Sequence, residues 1–320
     1  MAESWRISEA DRHLTPSIAA QKSYIHCGTN ESIPQTRKLY KPAGTARWGG
    51  VMGFLGAIKR MELSFSLAGA VVGFLVGMTG VGGGSLMAPI LILAFGFAPT
   101  AAVGTDLWFA AITKSCGGAM HRKFGSPDWT IIGRLAAGSV PAAILTVIWL
   151  HSRAGGKFES VFLLRLLGIA LLVTAAITPF RKSIRKPLLH VRNALGPGVR
   201  RHQLAITVAA GAVVGSLVTL TSVGAGAIVA LILTVLYPLR LNTRSLVGTD
   251  IVHAIPLAFV AALGHLWLGN VDWRVLASLL IGSIPGIALG SVMTGRINEA
   301  IIRNLLAVML ALSGFKLLQS

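Results

Sequence analysis

The chain has 320 residues, 53% of them hydrophobic and only 12% charged, with a formal charge of +18 and a mean hydropathy of +0.71. A soluble domain carries about 25% charged residues, so this composition points to a polytopic membrane protein. The positive charge does not mark a nucleic-acid partner: Lys and Arg sit in loops between apolar runs, not on a polar domain with interleaved aromatics.

Residues 1–60 are polar and irregular, with Pro16, Pro34 and Pro42 and no basic-then-apolar signal peptide. Two readings compete: a disordered cytoplasmic tail, or a start placed too far upstream, with Met61 as the working start. The second is preferred. Cys27 in this head and Cys116 in an apolar run lack the number and spacing of a disulfide framework or a metal site.

Apolar runs follow at 64–79, 86–97, 100–120, 129–150, 161–178, 204–220, 225–237, 245–263, 273–292 and 300–317. A spanning helix needs about 20 apolar residues, so most of these qualify, giving roughly 8–10 membrane segments. The runs 86–97 and 225–237 are short, and each adjoins a glycine-rich break.

The chain repeats itself. "GFLVGMTGVGGG" (73–84) lies over "GSLVTLTSVGAG" (215–226). After a two-residue insertion, "VGTD" (103–106) lies over "VGTD" (247–250), His121 over His265, "GSPDW" (125–129) over "GNVDW" (269–273) and "GSVP" (138–141) over "GSIP" (282–285). The expected organisation is a first transmembrane repeat at 61–180, a basic cytoplasmic linker at 181–203 and a second repeat at 204–320. Loop 121–127 carries Arg122 and Lys123, whereas its equivalent 265–271 carries no Lys or Arg. With the linker inside by the positive-inside rule, an odd number of crossings per copy makes the repeats inverted, as in many secondary transporters. The fold expected is all-α and polytopic, each repeat holding a Gly-broken helix pair.

The stretch "GMTGVGGGSLMAPI" (77–90) breaks a helix inside the apolar region, and "TSVGAGA" (221–227) repeats the break. Such backbone must be buried in protein or line a cavity. The start of a half-helix offers free amides and a partial positive charge. The expected anion site therefore takes backbone amides from Gly82, Gly83, Gly84, Gly224 and Gly226, with Ser85 as N-cap. Hydroxyls come from Thr79, Thr105, Thr221, Ser222 and Thr249. The bland alternative is close packing of small residues. The motif lacks the Gly-Lys-Ser/Thr ending of a phosphate loop.

Asp106 and Asp250 stand in equivalent places near the starts of long runs, as helix caps or as groups of the pathway, such as proton relays. His121 and His265 form a symmetric pair at span ends, where histidines are more often interfacial than functional. Lys114 lies two turns past Asp106 with Ala258 as its counterpart, and His253 is matched by Phe109. Asp106, Asp250, His121 and Lys114 are the candidates for proton coupling. Asp128–Trp129 and Asp272–Trp273 read as helix starts with interfacial Trp anchors, and Pro141 and Pro285 as kinks.

"LAGAVVGFLVGMTGVGGGSLMAPILI", then "AVGTDL", then "HRKFGSPDW", with a weaker second copy ending "HLWLGNVDWRVLASLLIGSIPGIALG", resembles the sulfite exporter TauE/SafE family across essentially all of 61–318. The resemblance implies transport of sulfite, sulfonates or related anions across the bacterial inner membrane. The chain departs from the family's usual pattern at Asp106, Asp250 and Lys114, which leaves substrate choice open. The expected function is a secondary transporter, taken as an exporter, of a small sulfur-containing anion such as sulfite or an organosulfonate. The rivals are a transporter or channel for another small organic anion, a non-transporting scaffold, and an intramembrane enzyme whose catalytic motifs are missing from the sequence. No cofactor, metal or catalytic residue is expected; the partners are the anion and the lipid bilayer, and homo-oligomerisation is left open.

Overall fold

The structure is a computed structural model. It describes residues 49–79, 86–120, 127–153, 160–180, 202–223, 226–238, 240–293 and 299–319. The packing described below is that of the unit Phe54–Ser320.

Among the described residues all regular structure is helical. The helices are α1 (Gly49–Thr79), α2 (Met87–Leu93), α3 (Pro99–Met120), α4 (Trp129–Arg153), α5 (Ser160–Phe180), α6 (Gln203–Thr221), α7 (Ala227–Leu236), α8 (Thr243–Trp267), α9 (Trp273–Met293) and α10 (Glu299–Gln319). The stretches Trp129–Ser152, Val161–Pro179, Gln203–Thr221, Ser245–Trp267, Trp273–Met293 and Ala300–Gln319 are long and apolar enough to cross a bilayer, and Glu62–Met78 and Ala227–Leu236 are shorter apolar helices. The sequence copies thus map as α1–α5 and α6–α10, each with a short helix, α2 or α7, after its glycine-rich break.

Local chemistry sets the boundaries. Asp128 precedes α4, and its Oδ1 accepts from the amides of Thr130 and Ile131 at 3.1 and 3.2 Å. Asp272 does the same for α9, from Arg274 and Val275 at 3.0 and 3.1 Å. Each satisfies amides that a helix start leaves free. Both following tryptophans, Trp129 and Trp273, are exposed, as interfacial anchors are. Helix α8 is capped by the Asn242 side chain, which accepts from the Ser245 amide at 2.8 Å. It ends at Gly269, whose φ of +73° lets Asn270 and Gly269 return their amides to the carbonyls of His265 and Leu266.

The repeats interlock through exchanged partners. A Cβ at Gly73 of α1 would press on the Ser283 carbonyl of α9, and one at Gly215 of α6 on the Ser139 carbonyl of α4. One turn earlier Gly69 meets Leu279 in the same way, and Gly211 meets Leu135. Each pair consists of equivalent residues with the copies swapped. Small residues here let backbones touch, which is how membrane helices gain packing energy where lipid offers no hydrophobic drive. The last helices of the copies, α5 and α10, also pack together: a Cβ on Gly168 would lie 3.0 Å from the Gly314 carbonyl, and one on Gly314 2.9 Å from the Gly168 carbonyl.

Two apolar clusters result, and both mix the copies. One joins Phe65, Val72 and Met87 of the first copy to Leu279, Ile287 and Leu310 of the second. The other joins Leu107, Ile131 and Leu135 to Val218, Leu233 and Leu257. Between them α3 packs on α8, α3 on α9 and α4 on α8. The polar residues considered next lie on these helices.

Candidate functional site

The VGTD segments are buried within helices, not at their starts. Thr105, Asp106, Thr249 and Asp250 are all buried, and α3 and α8 each begin seven residues before their aspartate. Neither aspartate therefore caps its own helix. Thr105 Oγ1 accepts from the Asp272 amide at 3.1 Å, and Thr249 Oγ1 accepts from the Asp128 amide at 3.0 Å. The two threonines tie each copy's third helix to the first residue before the other copy's fourth.

Asp106 is used differently. Its Oδ2 accepts from the Ala88 amide at 3.2 Å, in the first turn of α2. A short helix that begins inside the apolar region thus finds an internal carboxylate for one of its free amides. The Ser222 hydroxyl faces the same carboxyl group, yet neither Ser222 Oγ nor Asp106 Oδ1 completes a hydrogen bond of ordinary geometry. Ser222 has φ 57° and ψ 7°, left-handed backbone at the end of α6. In a non-glycine residue this conformation is costly and collects at functional sites. Gly80 holds the equivalent position in the first copy. Asp106 therefore stands between the two breaks: it holds the start of α2 and faces the end of α6.

Lys114, on the same helix and partly buried, lies at Coulombic range of Asp250 and of Asp106. One lysine thus stands within electrostatic range of a carboxyl group from each copy. Ionisable groups on helices packed among membrane-spanning ones are costly and mark functional positions. Three such groups from two helices are hard to explain as packing.

The other hydroxyls serve locally. Thr221 Oγ1 bonds the Leu217 carbonyl at 2.7 Å and receives the Val223 amide at 3.2 Å, closing the end of α6. Gly226 precedes α7, and its carbonyl accepts from the Ala230 amide at 3.2 Å. Thr79 ends α1, its side chain lying outside the described residues together with Gly82, Gly83, Gly84, Ser85, Gly224 and His121.

Two histidines are buried in the bundle. His265, two residues before the end of α8, is buried with its Nε2 2.9 Å from the Thr219 carbonyl of α6. His253, set aside in the sequence because Phe109 matches it, is fully buried with Nε2 2.9 Å from Ser139 Oγ of α4. The one signal for it was its place three residues after Asp250, on the same helix face. At the edge of the bundle, Arg240 pairs with Asp128, its Nη2 donating to Oδ1 at 3.0 Å.

Spanning helices with mixed cores, two backbone breaks and two buried carboxyl groups within electrostatic range of one lysine make up the layout of a membrane transporter. The chain belongs to the TauE/SafE family: the family described as "Sulfite exporter TauE/SafE" matches residues 65–317. It is 36% identical over 259 residues to "Probable membrane transporter protein YjnA" of Bacillus subtilis (strain 168), covering 81% of this chain and all of that protein. It is 27% identical over 253 residues to "Probable membrane transporter protein YdhB" of the same organism, covering 78% of this chain and 96% of that one. A "Probable membrane transporter protein" of Xylella fastidiosa (strain 9a5c) is 22% identical over 246 residues, 73% of this chain and 85% of its own length. No solved structure matches the chain.

Proposed function

We propose that this transporter carries a small sulfur-containing anion, sulfite or an organosulfonate, by alternating access between two inverted repeats. The observation that carries the reading is the placement of Lys114 among Asp250 and Asp106, between helices of different copies. A partly buried cation with acidic neighbours from both copies can exchange an internal carboxylate for a substrate anion. The substrate class comes from the family's description. Outward movement comes from the same description. An inside-negative potential favours it, since each elementary charge gains about 2.3 kcal/mol per 100 mV. We place no reaction chemistry in the site: its residues bind and move an anion, and none is asked to break a bond.

The exchanged hydrogen bonds support the inverted arrangement. Thr105, near the start of α3, meets Asp272 just before α9, which follows the end of α8. Thr249, near the start of α8, meets Asp128, which follows the end of α3. Since α3 and α8 pack together, the start of each lies by the end of the other, so they run antiparallel. Equivalent helices of parallel repeats would point the same way. The bacterial inner membrane is the setting this reading implies, with the basic loops inside.

The test is anion flux in proteoliposomes, with sulfite, sulfoacetate, sulfate and a simple carboxylate, with and without a pH gradient. The reading expects saturable flux of sulfite or sulfoacetate and faster flux under a potential that drives anions outward. Flux of the carboxylate alone would move the substrate class. No flux of any anion from folded protein would remove the transport mechanism proposed here and favour a scaffold.

A further inference from the structure

The breaks and the VGTD segments come in pairs, but one polar contact in the interior does not. Ser139 and Ser283 are equivalent, both fully buried, and each lies where a glycine of the other copy touches its carbonyl. Ser139 Oγ meets His253 Nε2 at 2.9 Å. Ser283 Oγ has no partner, because Phe109 stands where the symmetric histidine would be. The fold therefore accepts a phenylalanine and an idle serine at this place. The histidine is extra to what packing needs.

The hydroxyl's behaviour fixes the direction of that hydrogen bond. Elsewhere in these helices Thr113, Ser115, Thr146, Thr207 and Thr219 return their hydroxyl protons to a carbonyl one turn back. Ser139 does not, so its proton is free to go to Nε2. If Nε2 donated instead, the Ser139 proton and the Nδ1 lone pair would both be idle. With Ser139 donating, the ring proton sits on Nδ1, and only that one group lacks a partner. A fully buried donor without an acceptor is costly and marks a place for one.

Lys114 of α3 lies within electrostatic range of His253. Ser139 of α4 contacts the ring, and Asp250 and Asp106 lie within electrostatic range of Lys114. Arg134 of α4 is engaged with Tyr237, and α6 and α7 carry no Asp, Glu, Lys, Arg or His within their helical spans.

We propose that Lys114 Nζ and His253 Nδ1–H form the subsite that holds the transported oxyanion, one oxygen on each, with Ser139 as the positioning residue that keeps the proton on Nδ1. This rests on the anion-transport reading above and adds to it a location off the repeat axis. The interior then has one anion subsite, not a symmetric pair at the two breaks. A sulfite or sulfonate group fits the chemistry, having at least two acceptor oxygens and a negative charge for the ammonium.

The experiment compares sulfoacetate flux by wild type, Lys114→Ala, His253→Phe, Ser139→Ala and Ser283→Ala, each checked for monodisperse, thermally stable protein. Lys114→Ala and His253→Phe install what the other copy carries at Ala258 and Phe109, so they should fold. For Lys114→Ala and His253→Phe, KM rises by about tenfold or more, the scale of a lost hydrogen bond to a charged group. Ser283→Ala stays at wild type. Nitrogen-15 spectra of histidine-labelled protein, with His253 assigned by its loss in His253→Phe, should show a neutral ring protonated at Nδ1. In Ser139→Ala that signal shifts towards the other tautomer and KM rises with it. Unchanged KM in folded His253→Phe, or a wild-type ring protonated at Nε2 with sulfoacetate bound, overturns the subsite while leaving transport standing. A wild type that moves no anion overturns both.

Discussion

The Thr105 hydroxyl accepts the Asp272 amide at 3.1 Å, and its equivalent Thr249 accepts the Asp128 amide at 3.0 Å. Each link joins a helix of one copy to the helix start of the other, so neither copy completes its hydrogen bonding alone. Replacing either threonine by valine keeps the shape and removes the acceptor. Each variant should lose about 1 kcal/mol, the usual net value of such a bond, read as a lower midpoint of thermal unfolding in detergent. The two sites share no partner, so the double variant should lose the sum. A single variant as stable as wild type would mean that the link is incidental.

Asp106 has two separable properties, an acceptor for the Ala88 amide and an ionisable carboxyl group within electrostatic range of Lys114. Asparagine keeps the first and removes the second, whereas alanine removes both. Asp106→Asn should therefore unfold near the wild-type temperature and transport poorly. Asp106→Ala should be less stable by about 1–3 kcal/mol, the cost of stranding a buried donor. Wild-type flux in Asp106→Asn would reduce this residue to a helix cap.

What the sequence could reveal depended on whether a signal was local or repeated. Asp128 and Asp272 were legible as helix starts because the cap and the following Trp are adjacent in the chain. Gly73 and Gly215, or Thr105 and Thr249, were legible as matched positions because they recur in one register. Which helix each would touch was not, since Gly73 against Ser283 is a contact between residues 210 apart (283 minus 73). Symmetry also misled. It drew attention to His265, which serves a Thr219 carbonyl, and away from His253, which has no counterpart. Ser139 carried no signal of its own, because a serine beside a glycine in an apolar helix reads as packing.

The antiparallel course of α3 and α8 predicts where their loops emerge. In a background with Cys27 and Cys116 changed to serine, Lys123→Cys and Asn270→Cys should react with an impermeant maleimide from opposite faces of the membrane. Position 123 should react only in inverted vesicles and position 270 only in intact cells. Labelling of both from one face would remove the inverted repeat and the alternating-access reading with it.

The exchanged glycine contacts give the last prediction. At Gly73 and Gly215 an added methyl meets a carbonyl of the facing helix, a backbone atom that no side-chain rotation can move away. Gly73→Ala and Gly215→Ala must push α1 from α9 and α6 from α4. Each should cost about 1–3 kcal/mol, as overpacking does, although alanine is the better helix former. Gly133 of α4 is the control, because a methyl there meets nothing within 4 Å. Gly133→Ala should gain up to about 1 kcal/mol from propensity alone. Thermal unfolding of the three variants separates the effects. Equal gains at all three positions would mean that the helices are not in the close contact that interlocks the repeats.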